Sequence, residues 1–323
     1  MHFDATDKKL ISLLQRDFPL TRQPFEGLGL RLGIGGEETI GRIRRFKEDG
    51  IVRQIGPVLE ARKLGCYTTL VAFKVAAENL EKAAAAIRSH PGVSHGYLRQ
   101  HDLNVWITLS TSSAATMHIE LRRLRAEMSA EAMAELPVVK LYKIGFYLDL
   151  EESGQPPPDS SGISYRKAKI TPPERAALNE LQQDLPLVDR PFDVMSKKIG
   201  MPVEDFLACC RSLKRRGVMR RFGAAINHRR AGYKANAMTC WVVPPDVIDA
   251  AGARLAACRE VSHCYQRKTG SNWRYNLFAM IHGRREDDCF RVADAVTEEL
   301  GLPKYSALFS IKELKKERVR HSL

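Results

Sequence analysis

Apolar positions along the chain alternate between a helical and a strand period, and the whole alternation occurs twice. Residues 6–16 space their apolar side chains as an amphipathic helix opened by Thr6 and Asp7. Residues 26–32 predict a short second helix. The stretch 33–50 predicts a turn and a third helix, with Ile40, Ile43 and Phe46 on its buried stripe. IVRQIGPVLE then predicts a wing strand. Strands are expected at 66–76, 92–99, 103–110 and 138–149, with helices at 78–89 and 113–128. The second half predicts helices near 173–183, 191–199 and 202–216 and a wing at 218–227. Strands near 236–243, 260–267, 274–282 and 304–312 follow, with helices at 246–257 and 285–300. The expected class is α+β, each half a winged helix-turn-helix followed by a ferredoxin-like βαββαβ domain.

The repeat is also visible residue by residue. LQRDFPLTRQPF at 14–25 aligns with LQQDLPLVDRPF at 181–192, and Gly50, Gly56 and Gly65 align with Gly217, Gly223 and Gly232 at the same offset. The expected domains are helix-turn-helix units at 1–60 and 170–227 and ferredoxin-like units at 61–150 and 228–323. A Pro-, Ser- and Gly-rich linker at 151–169 joins the halves. An internal pseudo-dimer of the two halves is expected from this duplication.

Composition narrows the class. The 323 residues are 28% charged and 44% hydrophobic, ordinary for a soluble globular chain, and no apolar run is long enough to span a bilayer. Seven cysteines without CxxC spacing predict reduced thiols and a cytoplasmic setting; Cys209 and Cys210, adjacent on a helix, read as packing. The net charge of +13 suits nucleic acid and a small polyanion equally.

The candidate chemistry lies in VSHGYLRQHDLNVW (93–106) and VSHCYQRKTGSNWRYNLF (261–278). Alternate positions on a strand share a face, so His95, Tyr97 and Arg99 line up, as do His263, Tyr265 and Arg267. Asn104 and Asn276 follow in apolar runs. The copies differ: Leu103 stands where the second has Tyr275, and Ala61 where the second has His228. His90, His118 and His282 lack such company and read as structural, and Trp106 and Trp273 as packing.

A helix-turn-helix raises DNA binding, with the chain acting as a regulator. Its recognition helices, however, open with Gly36-Glu37-Glu38 and Val203-Glu204-Asp205, carboxylates that suit a helix N-terminus and oppose a phosphate-lined groove. The strip Arg42, Arg44, Arg45 and Lys47 also reads as a solvated face. DNA binding is therefore disfavoured. Proline and phenylalanine in FPLTRQPF and LPLVDRPF predict packing where a plain regulator needs only a polar turn.

Taken together, these motifs, with GPVLEARKLGCY and RRFGAAINHRRAGY, resemble the sirohaem decarboxylases, relatives of AsnC/Lrp regulators, in the form where two homologous subunits are fused. The resemblance covers both halves. It implies loss of carbon dioxide from two acetate side chains of sirohaem, giving didecarboxysirohaem for haem d1 or haem biosynthesis. It implies no added cofactor and no protein-bound metal, since the iron tetrapyrrole is the substrate. On this reading His263 and His95 are the catalytic acids or organisers, and Arg267 and Arg99 bind carboxylates. Tyr265, Tyr275, Tyr97, Asn276 and Asn104 line the substrate, and His228 or His101 ligates its iron. A regulator with a small effector and a non-catalytic tetrapyrrole carrier are the alternatives.

Overall fold

A computed structural model describes residues 3–16, 18–145, 167–227, 230 and 232–317; most of the expected linker and His228 lie outside them. The first half runs α1 (Ala5–Arg16), α2 (Pro24–Leu30), α3 (Gly36–Glu48), β1 (Val52–Leu59), β2 (Tyr67–Lys74), α4 (Leu80–Ser89), β3 (Val93–Arg99), β4 (Val105–Thr111), α5 (Ala114–Glu127), β5 (Ala132–Leu136) and β6 (Val138–Ile144). The second runs α6 (Pro172–Leu181), α7 (Pro191–Lys198), α8 (Val203–Arg215), β7 (Met219–Ile226), β8 (Ala235–Trp241), α9 (Ile248–Ala257), β9 (Val261–Arg267), β10 (Leu277–Gly283), α10 (Glu286–Glu299) and β11 (Ser306–Lys316). The repeated plan is present in both halves.

Local chemistry explains the helix starts. Thr171 and Glu174 form a reciprocal capping box at α6, and Ser113 caps α5. The repeated Pro-Phe pair opens α2 and α7, where a missing N–H costs nothing. Its phenylalanines are fully buried: Phe25 packs edge-on against Phe18, and Phe192 and Phe18 both meet Phe222. The two helix-turn-helix units thus share one core.

Each wing packs on the helix that precedes it, yet finds its strand partner in the other half. β1 and β7 pair antiparallel with each other, placing Gly56 opposite its repeat mate Gly223. A local two-fold axis therefore passes between those glycines, and the ribbon ties the halves together.

The ferredoxin-like units merge into one nine-stranded sheet in the order β5-β2-β4-β3-β11-β8-β10-β9-β6. Each half lends its last strand to the other. β11 pairs with β8 through Ser306–Phe309 and with β3 from Ser310 onward, while β6 pairs with β9. β5, absent from the sequence reading, pairs with β2. Pro137 alone separates it from β6; a residue without an N–H interrupts the ladder there and lets the chain change partner. The end strands of the sheet are thus consecutive in the chain, and the sheet returns to its start.

Helices cover one face through two cores, one holding Ala83, Ile87, Leu121 and Leu124, the other Ala251, Leu255, Ala293 and Val296. The opposite face holds a third cluster drawn from both halves, including Trp106, Leu136, Cys240, Trp273 and Leu308.

Candidate active site

The helix-free face carries the polar strand pattern. Gly96 and Cys264 turn to the helices: a side chain at Gly96 would strike Ile87, and Cys264 packs in the core under α9. Their neighbours of opposite parity, His95, Tyr97 and Arg99 on β3 and His263, Tyr265 and Arg267 on β9, therefore face inward. Within each triplet the rings form a ladder. His95 and Tyr97 stack at 6.4 Å and 26°, and His263 and Tyr265 at 6.1 Å and 20°. Each arginine then lies over the tyrosine face, at 5.2 Å for Arg99 and 4.7 Å for Arg267.

The halves meet at the arginines. Arg99 Nη1 donates to the Leu308 carbonyl on β11 at 2.7 Å, and Arg267 Nη1 donates to the Leu136 carbonyl on β5 at 2.8 Å. In both, the buried Nε has no hydrogen-bond partner among the described residues. Burial lowers both guanidinium pKa values to about 10, against a favourable pull from the tyrosine beside each. These are cations still short of an acceptor.

At the other end of the ladder stand the histidines. Burial, reinforced by the charges of Lys316 and Arg53, holds His95 down to about 4. His263 falls to about 3, through burial first and then His95, Lys316, Arg267 and Arg221. Arg53 and Arg221 belong to the β1–β7 ribbon, which therefore lies within electrostatic range of the two histidines; Arg53 is itself paired with Glu313 on β11 at 3.6 Å. Arg220, from the same ribbon, pairs with Glu60, and both lie within electrostatic range of Tyr265, whose phenol burial pushes up to about 12. Both histidines are neutral near pH 7 and lie amid cations.

The remaining candidates lie elsewhere. His101 sits beyond the Arg99 end of β3, its Nδ1 accepting from Leu103 N–H at 2.9 Å and its ring edge-on to Trp273 at 5.2 Å. Tyr275 packs on Trp273 at 5.1 Å. Trp273 in turn meets Trp106 at 5.0 Å, so both tryptophans do pack, across the halves. Asn104 exchanges two hydrogen bonds with the Val75 backbone, and Asn276 two with Val243. The asparagines thus fix the exits of β2 and β8. His228 lies outside the described residues.

One histidine read as structural has company after all. His282, 4% exposed, places Nε2 2.8 Å from Ser262 Oγ, which is also 2.8 Å from His263 Nδ1. Its signal in the sequence is the difference between the copies, since Ser110 occupies that register position in the first half. His90 instead bonds Glu120 at 3.0 Å and the Gly92 N–H, closing a turn.

Three of the four cations in the helix-turn-helix strip, all but the exposed Arg44, are already engaged. Arg42 pairs with Asp4, Asp7 and Glu38, Arg45 with Asp7, and Lys47 with Asp184. Among the described residues no helix is long and apolar enough to cross a membrane, and no cluster of three or more His, Cys, Asp or Glu could hold a metal ion.

Comparison with known proteins bears on both folds. The model of the AsnC-like ligand binding domain matches residues 63–143 and 230–315. The model described as "Siroheme decarboxylase NirDL-like HTH domain" matches 7–53 and 174–220. A "Siroheme decarboxylase" of Hydrogenobacter thermophilus is 40% identical over 97% of this chain and 94% of its own. The chain belongs to the siroheme decarboxylase family, in its fused NirDL form. A crystal structure of siroheme decarboxylase NirDL in complex with an iron-uroporphyrin III analogue matches this family member with a TM-score of 0.73 and 35% identity, covering 98% of this chain and 95% of that one. A "Siroheme decarboxylase beta subunit" of Oleidesulfovibrio alaskensis is 41% identical over 46% of this chain and 94% of its own, the span of one half. The internal pseudo-dimer fits a fusion of two such subunits.

Proposed function

We propose that the chain decarboxylates sirohaem, removing carbon dioxide from two acetate side chains to give didecarboxysirohaem. One observation carries this reading. Two buried guanidiniums with unpartnered Nε groups share an inner face with two neutral histidines, within electrostatic range of a cationic ribbon. That arrangement suits an apolar macrocycle fringed with carboxylates. It also suits the iron-uroporphyrin III analogue bound by the NirDL relative.

The roles follow from position. Arg99 and Arg267 bind substrate carboxylates, and Tyr97 and Tyr265 orient the ring. Carbon dioxide leaves while the bonding electron pair stays on the methylene carbon, delocalised into the macrocycle. His263 then delivers a proton to that carbon, completing the methyl group, and is reprotonated from solvent. The free protein holds this histidine neutral through burial and Lys316, Arg221 and Arg267. A polycarboxylate settling among those cations offsets their charge and raises the proton affinity of His263 at the moment it is needed. His101 is a candidate ligand to the substrate iron, as is His228, which lies outside the described residues, and His95 organises the second acetate.

Anaerobic incubation with sirohaem, followed by mass analysis, tests the reading. Stepwise loss of two carbon dioxide units is expected. Tight binding with no mass loss would leave a tetrapyrrole carrier, and salt-resistant operator binding would revive a regulator.

A further inference from the structure

The two histidine ladders differ behind the ring. In the second half, Ser262 Oγ is flanked by His263 Nδ1 and His282 Nε2, each at 2.8 Å, with the Met280 carbonyl farther off at 3.3 Å. Ser262 is fully buried and His282 nearly so. On the far side of His282, Asn236 Nδ2 approaches Nδ1 at 3.5 Å. In the first half, Ser94 Oγ meets His95 Nδ1 at 2.9 Å, but among the described residues no second imidazole stands behind it. Thr68 and Ser110 occupy the register positions of Asn236 and His282 and bond each other at 2.8 Å.

A neutral imidazole has one N–H and one acceptor nitrogen, and a hydroxyl has one proton to give. The chain of donors therefore runs one way throughout, and the Asn236 amide sets which: its Nδ2 faces His282 Nδ1 at 3.5 Å, while its buried Oδ1 has no partner among the described residues. Asn236 donates to His282 Nδ1, which leaves the His282 proton on Nε2. That N–H donates to Ser262 Oγ, and Ser262 donates to His263 Nδ1. The His263 proton is then left on Nε2, on the ring edge away from the serine. We propose that His282 and Ser262 are positioning residues that hold His263 as its Nε2–H tautomer, making the second half the proton-donating half of the enzyme.

The same hydroxyl serves the protonated ring. When His263 takes up the solvent proton that makes it an imidazolium, both ring nitrogens carry hydrogen, and Ser262 turns its O–H to the Met280 carbonyl and accepts from both imidazoles. Nε2 keeps a proton toward the substrate in both states. The imidazolium that gives up this proton to carbon is left as the neutral Nδ1–H form, which the rotated serine still accepts. His95 lacks the second imidazole, so its tautomer is not fixed in this way.

The inference rests on the proposed decarboxylation, and the test separates the two. In the full chain labelled with 15N-histidine, ring nitrogen shifts report the tautomer, with His263 assigned by its loss in His263→Gln. The wild type is expected to show Nε2–H at His263; a dominant Nδ1–H form would overturn the proposal whether or not sirohaem is consumed. With sirohaem as substrate, His282→Leu is expected to lower kcat at least tenfold with KM unchanged. His282→Gln, which keeps a donor near the Nε2 position, is expected to recover most of it. Ser262→Ala is expected to match His282→Leu, and Ser94→Ala to lose less than Ser262→Ala. A folded His282→Leu with wild-type kcat, or equal losses in the Leu and Gln variants, would overturn it. Should His282→Leu not fold, the Ser262→Ala comparison and the tautomer decide. A wild type that leaves sirohaem intact would defeat the functional reading alone.

Discussion

Arg99 of one half donates to the Leu308 carbonyl of the other at 2.7 Å, and Arg267 returns the contact to Leu136 at 2.8 Å. Each bond falls at a crossover, where β11 leaves β8 for β3 and where β5 gives way to β6. The same guanidinium therefore fastens the halves together and presents an unpartnered Nε to the inner face. On the proposed reading, the two arginines that join the halves are also the ones that bind substrate.

That double duty predicts a specific phenotype for Arg267→Lys. The ammonium can still reach the Leu136 carbonyl, but it has no planar fork for a carboxylate. A charged hydrogen bond is worth about 1.5–3 kcal/mol, so sirohaem affinity is expected to fall roughly 10- to 100-fold. Titration of the variant with the tetrapyrrole checks this, with the urea midpoint as a control. An unchanged affinity would mean that Arg267 serves assembly only.

Lysines lock the crossover strands to helices of the opposite half. Lys315 Nζ on β11 donates to the Arg88 and His90 carbonyls at the end of α4, and Lys143 on β6 donates to the Cys258 carbonyl at the end of α9. Lys315 is 8% exposed, so its loss strands buried acceptors. Lys315→Met is expected to cost about 1–3 kcal/mol by urea unfolding. Wild-type stability in that variant would show the contact to be dispensable.

Much of this was legible in the sequence because the repeat doubled every weak signal. The paired His-x-Tyr-x-Arg strands and the three-helix units each followed from local period and turn chemistry, whereas the first Pro-Phe pair, expected between two helices, opens α2. What the sequence hid was non-local. β5 is five residues broken from β6 by a proline, too short for alternation to show. Nothing local tells β6 to pair with β9, or β1 with β7, since strand partners are set by tertiary packing. The asparagines stood out as polar groups in apolar runs, yet their amides bond the Val75 and Val243 backbones, which no spacing reveals. His282 lay six residues beyond Asn276, and its cue was its replacement by Ser110 in the first half.

Lys316 acts on both histidines and offers a cleaner electrostatic test than any ribbon arginine. It stands among the groups that depress His95 and His263 alike. Lys316→Met removes that repulsion, so both pKa values are expected to rise. NMR titration of the imidazole resonances in the full chain measures the change. Values that stay put would assign the depression to burial alone.

Neutral buried histidines also set a pH dependence for folding. In the unfolded chain both titrate near the ordinary 6.5, whereas the folded protein keeps them neutral down to about 4 for His95 and about 3 for His263. Between those limits the unfolded state binds more protons, so their contribution to stability is full above pH 6.5 and is lost as pH falls toward 4 and 3. The urea midpoint of the ligand-free chain is expected to drop steadily from pH 7 to pH 4.5. The double variant His95→Gln/His263→Gln cannot take up those protons and is expected to show a shallower fall over the same window. Parallel curves for the two proteins would mean that these histidines titrate normally, and the neutral inner face would have to be abandoned.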